Sequence, residues 1–185
     1  MFIETEGTPN PNTLKFLPGK TLIESGTANY QDRDSVAGSP LAEALFAEKG
    51  VEGVFIGTDF VTVTKSGEDD WEDLKPGILG ALMQFFASGA PAVEAGAGAS
   101  ESMDTADEDL EIVEQIKTLL EEKVRPAVAQ DGGDIVFHGF KEGVVYLQMQ
   151  GACAGCPSST MTLKHGIENL LKYYVPEVVD VRAVE

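Results

Sequence analysis

Cys153 and Cys156 are the only thiols in this 185-residue chain. A Cys-x-x-Cys pair can exchange disulfides, supply half of a zinc site, or ligate the iron of an iron–sulfur cluster. A disulfide scaffold needs more cysteines than this. The surrounding loop reads Gly151-Ala152-Cys153-Ala154-Gly155-Cys156-Pro157-Ser158-Ser159. Its glycines allow a tight backbone path, and its small residues let both sulfurs point one way. Pro157 followed by serines starts a helix, so the thiols are expected at the positive end of a helix dipole. That placement should lower the thiol pKa and favour thiolate, the metal-binding form.

Structural zinc and cubane clusters each take four protein ligands. The chain offers two cysteines and two histidines, His138 and His165. His138 falls on a predicted strand and His165 in mid-helix, about two turns past the loop. A lone histidine is more often a packing or surface residue than a ligand. Two copies of the chain, each giving one pair across a two-fold axis, complete a four-thiolate site more simply. A centre held that way is exposed and labile, which suits transfer better than storage. On residues alone, a thiol–disulfide oxidoreductase, a zinc-bridged structural dimer and a shared cluster all stay open. Against disulfide exchange, the pair follows an αββ unit rather than βαβ, and no tryptophan flanks it.

The elements that must position the pair come in two groups. Residues 88–106, SGAPAVEAGAGASESMDTA, are Ala, Gly, Ser and Glu with no sustained period, which predicts a flexible linker. It separates an N-terminal domain, 1–87, from a C-terminal domain, 107–185. In the first, Phe2–Glu6 and Leu14–Leu17 read as strands around the rigid turn Thr8-Pro9-Asn10-Pro11-Asn12, which either holds the two strands or forms a surface for client proteins. Ser39-Pro40 opens a helix with Leu41, Ala44, Leu45 and Ala47 as its apolar stripe. Val51–Ile56 and Phe60–Thr64 form a hairpin. Trp71 to Phe86 is a second helix, with Leu74, Ile78, Leu82 and Phe85 at helical spacing and Phe86 also assigned to the core.

In the C-terminal domain, a helix from Asp107 carries Leu110, Val113, Ile116, Leu120 and Val124 on one face until Pro126 interrupts it. Ile135–Phe140 and Val144–Gln150 pair across Lys141-Glu142-Gly143. The cysteine loop, a helix over Ser158–Tyr173 and a strand over Val178–Val184 complete the order αββαβ. The expected class is α+β: two small domains, the second with a three-stranded sheet. Asp131-Gly132-Gly133-Asp134 could suggest a cation loop, but glycines ending a helix explain it better.

The net charge of −18 is spread through the chain: residues 1–90 carry 14 acids against 6 bases, and residues 107–185 carry 14 against 7. Such a field repels phosphate backbones and anionic lipid, so neither nucleic acid nor membrane is an expected partner. No apolar run approaches the roughly 18 residues of a membrane span. Neither a secretory signal nor an Arg- and Ser-rich transit segment opens the chain. The expectation is a bacterial cytoplasmic protein, mitochondrial only if a presequence has been removed. Neither a serine–histidine–acid set nor paired carboxylates stand out, so a hydrolase is not expected; the overall expectation is a carrier and not an enzyme.

Residues 112–184 resemble the Nfu-type iron–sulfur carrier domain, the C-terminal domain of NifU. The resemblance lies in Val124-Arg125-Pro126, Asp131-Gly132-Gly133-Asp134, the cysteine loop and Val175-Pro176-Glu177-Val178. Residues 2–87 resemble the accompanying Nfu N-terminal domain through Thr8-Pro9-Asn10-Pro11-Asn12-Thr13-Leu14-Lys15-Phe16. The resemblance implies a homodimer around a 4Fe–4S cluster held by Cys153 and Cys156 of each chain. It also implies an upstream assembly machinery as source and apo iron–sulfur proteins as recipients. NifU's scaffold and ferredoxin-like domains are missing, which points to the stand-alone carrier type.

Overall fold

The structure, a computed structural model, describes residues 2–24, 26–94, 109–154 and 157–184. The chain divides into two compact units, Met1–Ala99 and Ser100–Glu185. Each has its own hydrophobic core, and the architecture is α+β as expected.

The N-terminal unit runs β1 (Glu4–Gly7), β2 (Thr13–Leu17), β3 (Ala28–Tyr30), α1 (Pro40–Phe46), β4 (Val51–Ile56), β5 (Val61–Lys65) and α2 (Trp71–Ser88). Its sheet is antiparallel in the order β1-β2-β5-β4-β3. Sequence periodicity missed β3, which is too short to show alternation. Thr8 Oγ1 lies 2.9 Å from the carbonyl oxygens of both Asn10 and Thr13. The Asn12 N–H donates to Asn10 Oδ1 at 3.0 Å, and Trp71 Nε1 donates to the Pro11 carbonyl at 3.0 Å. The Thr8–Asn12 motif is thus a self-bonded turn between two strands.

Ser39 caps α1 by accepting from the Ala42 N–H at 3.2 Å, and its own hydroxyl donates to the Ala92 carbonyl at 2.7 Å. The buried face of α1 is Leu41, Ala42, Leu45 and Phe46. Of the predicted stripe, Ala44 is only half-buried and Ala47 is exposed, while Ala42 and Phe46 are buried instead. On α2 the predicted stripe of Leu74, Ile78, Leu82 and Phe85 is buried, with Phe86 packed partly against it. Gly89 ends α2 in the left-handed region at φ 72°. Beyond it the Glu94 N–H donates to the Gly38 carbonyl at 2.7 Å. Residues 89–94 therefore belong to this unit, although their composition reads as linker. The remaining linker residues, 95–106, lie outside the described residues.

The C-terminal unit begins with α3 (Leu110–Leu119), a π-helical segment (Leu120–Val124) and α4 (Arg125–Gln130). Pro126 has no N–H to give the preceding turn, and the ladder widens just before it. Val113, Ile116, Leu120 and Val124 are buried as predicted, whereas Leu110 is 50% exposed. Next come β6 (Gly133–Lys141) and β7 (Val144–Gly151), an antiparallel hairpin. Glu142 (φ 52°) and Gly143 (φ 80°) close it, the paired positive φ of a two-residue hairpin turn. Then α5 (Pro157–Tyr174) crosses over to β8 (Asp180–Val184), which pairs with β7 in parallel. The sheet order is β6-β7-β8. The cysteine loop thus leaves the central strand and enters a βαβ crossover, a feature the αββαβ order did not reveal.

Candidate metal centre

The site grows from the end of β7. Gly151, at φ 63°, sits opposite Gly133 in the β6–β7 ladder and turns the chain out of the sheet. The Ala152 N–H donates to the Gly132 carbonyl at 3.2 Å, and the Ala154 N–H donates to the Gly151 carbonyl at 3.1 Å. From the first turn of α5, Thr160 Oγ1 donates to the Cys153 carbonyl at 3.2 Å. Cys153 is consequently fixed on both sides and only 6% exposed.

Gly133 forms the seat under its sulfur. A Cβ there would stand 2.5 Å from Cys153 Sγ, 2.8 Å from the Gln150 carbonyl oxygen and 3.0 Å from the Cys153 nitrogen. Asp134, 3% exposed, follows directly. Its carboxylate accepts from Arg125 Nε at 2.9 Å, Arg125 Nη2 at 2.8 Å and the Ile135 N–H at 2.8 Å. Arg125 Nη1 also meets Glu121 Oε1 at 2.6 Å. Hydrogen bonding to Asp134 is the main cause that raises the Arg125 pKa, despite the opposing effect of burial. This fork-to-fork pair is what a bidentate guanidinium–carboxylate contact looks like. It leaves Asp134 committed to the fold, so the Asp131–Asp134 segment is structural and not a cation loop.

The thiol is not activated in the way the helix-start argument expects. Burial first, then the carboxylates of Asp131 and Asp134, push Cys153 up to about 12. Desolvation and like charge outweigh any helix dipole. The βαβ setting now resembles that of an oxidoreductase, but a buried, protonated thiol is a poor nucleophile. Loss of a proton to a bound metal remains open to it. In the metal-free Cys156→Ser variant, iodoacetamide should label Cys153 at pH 8 more than about tenfold slower than in urea. Equal rates, followed by mass spectrometry, would contradict this assignment.

Cys156 and Gly155 lie outside the described residues. Neither histidine joins Cys153. His138 is five residues along β6 from Gly133, about 16 Å at strand rise, and His165 is exposed eight residues into α5, about 12 Å at helical rise. Among the described residues no group of three or more His, Cys, Asp and Glu side chains is arranged for a metal. Sequence reasoning missed the roles of Arg125, Gly133 and Thr160. Arg125 and Gly133 did carry a signal, as members of the Val124-Arg125-Pro126 and Asp131-Gly132-Gly133-Asp134 motifs, but not one that told their roles.

Comparison with known proteins bears on the same residues. The family model described as "Scaffold protein Nfu/NifU N terminal" matches residues 3–89, and "NifU-like domain" matches residues 116–182. The human protein named "NFU1 iron-sulfur cluster scaffold homolog, mitochondrial" is 49% identical over all of this chain and 72% of its own length. "NifU-like protein 4, mitochondrial" from Arabidopsis thaliana is 51% identical over 96% of this chain and 64% of its own. The chain thus spans roughly two thirds of such relatives. A solution structure of a NifU-like protein from Saccharomyces cerevisiae is 31% identical over 51% of this chain and 86% of its own, with a TM-score of 0.42. The mitochondrial names correct the expectation of a bacterial cytoplasmic protein. That expectation rested on the composition of the first residues, which reports on those residues and not on a cell compartment.

Proposed function

The chain belongs to the Nfu/NifU family of iron–sulfur cluster scaffold proteins, and from that premise we propose that it carries a cluster as cargo to proteins that lack one. The observation that carries this reading is the NifU-like match over residues 116–182, which encloses the chain's only two cysteines. In this reading Cys153 and Cys156 each give a thiolate, and a second copy gives the other two, around one 4Fe–4S cluster. Iron takes the place of the thiol protons. Cys153 is a ligand held in place, seated on Gly133 and tied by Thr160. Upstream assembly machinery supplies the cluster, and recipient thiols displace the carrier's in turn. Nothing is turned over, so the protein acts as a carrier and not as an enzyme. The mitochondrion is the proposed setting.

Anaerobic reconstitution with iron and sulfide tests this. The expected product holds about four of each per two chains, the content of one cubane on four cysteines. Iron and sulfide at half that level would replace the cubane with a smaller cluster. Cys153→Ser or Cys156→Ser with undiminished iron would overturn the ligand assignment. Rapid insulin reduction by the metal-free protein would favour disulfide exchange instead.

A further inference from the structure

One flank of α3 carries two carboxylates that the fold leaves unneutralised. Glu111 and Glu114 are exposed and three residues apart on the helix. Among the described residues neither forms an ion pair. Lys117, the base that helical spacing offers to Glu114, lies instead over the Phe137 ring, 5.4 Å from its centroid. Other acids of this unit do find bases: Glu121 meets Arg125, Glu168 meets Lys172, and Asp180 meets Lys164 and Arg182. The two unpaired carboxylates border a groove of about 510 Å³ between α3 and the end of α5, which Gln115, Thr118, Leu119 and Tyr174 complete.

The floor of this groove is apolar and held in place. Leu119 packs partly against the core of the unit. Thr118 Oγ1 donates to the Glu114 carbonyl at 2.9 Å, so its hydrogen is used within the helix. Tyr174 is 49% exposed yet held by two neighbours. The Tyr173 ring meets it edge-on at 5.0 Å, and Lys123 Nζ lies 5.5 Å from its centroid. An aromatic side chain restrained in this way has little freedom left to lose on binding. The groove and the cysteine loop stand at opposite ends of α5, whose 18 residues span about 27 Å.

We propose that the groove docks a basic, amphipathic segment of another protein. An apolar side chain of that segment sits between Leu119 and Tyr174, and its lysines or arginines meet Glu111 and Glu114, the helix-in-groove mode of recognition. Charge selects this occupant. The chain has 31 acids against 13 bases, so a second copy brings like charge to the rim, whereas a basic partner is drawn in. Distance from the cysteine loop lets the segment bind while the loop stays accessible, and the inference does not depend on cluster loading.

The test uses the metal-free chain and a fluorescein-labelled amphipathic helix of leucine and lysine, about 14 residues or four turns long. A scrambled peptide of the same composition controls for bulk attraction. Anisotropy should show the amphipathic peptide binding about fivefold or more tightly than the scrambled one. Tyr174→Ala should weaken it about fivefold, and Glu111→Gln with Glu114→Gln should do the same at 0.1 M salt. Glu72→Gln with Asp73→Asn, which removes two exposed acids from α2, should change it less than about twofold. Amide NMR shifts should move at residues 111–119 and 174. Circular dichroism should stay that of the wild type, since every altered side chain is exposed. Equal affinity for the two peptides, or for Tyr174→Ala and wild type, overturns the groove. Equal losses from the two acid pairs would reduce the binding to net charge and overturn it as well. Self-association of the metal-free chain that Tyr174→Ala abolishes would give the groove to a second copy and overturn the basic partner.

Discussion

Gly133→Ala should abolish cluster loading and lower stability by about 1–3 kcal/mol, the usual range for forcing an extra methyl group into a packed site. The added carbon would lie 2.5 Å from Cys153 Sγ. A side chain could swing away from that clash, but two of the three close atoms are backbone: the Gln150 carbonyl oxygen at 2.8 Å and the Cys153 nitrogen at 3.0 Å. Relief therefore means moving the cysteine loop off β6, which carries the thiol with it. Gly166→Ala on α5 is the matched control, because a carbon there meets nothing within 4 Å. It should load normally and gain up to about 1 kcal/mol of helix propensity. Urea unfolding and iron content, measured on both variants, check the pair. A Gly133→Ala protein that loads like wild type would show that the thiol does not need its glycine seat.

Arg125→Leu should cost on the order of 3 kcal/mol, because it strands a buried carboxylate. Asp134 has a side chain only 5% exposed and loses both charged hydrogen bonds at once. Arg125 is 29% exposed, which keeps the expected cost at the lower end for a broken buried pair. Arg125→Lys should recover only part of it, since an ammonium cannot make the two-pronged contact. The double variant Arg125→Leu with Asp134→Leu should be more stable than Arg125→Leu alone, the non-additivity expected of partners in one pair. Urea midpoints decide the matter. Equal midpoints for Arg125→Leu and wild type would mean the clamp is dispensable. Loading should fall as well, because Asp134 adjoins the glycine on which Cys153 rests.

Much of the local structure was legible because local rules govern it. Ser39-Pro40 started α1, Leu74 through Phe85 marked the buried stripe of α2, and the alternation in residues 135–150 gave the β6–β7 hairpin. What the sequence concealed depended on packing. Phe46 and Ala42 are buried on α1 where Ala44 and Ala47 were expected, and residues 89–94 look like linker yet Glu94 bonds back to Gly38. A contact in space overrides composition.

The cysteine pair shows the same division. From sequence alone came its uniqueness, its place between a strand and a helix, and the arithmetic that makes two thiols half a site. These follow from residue identity and spacing, which folding does not change. Only the tertiary structure decided the state of Cys153. It brought Gly133 under the sulfur, locked Asp134 with Arg125, and buried the thiol beside two carboxylates, raising its pKa where a helix start would lower it. Desolvation depends on everything packed around a group, and that environment is assembled from residues far apart in the chain.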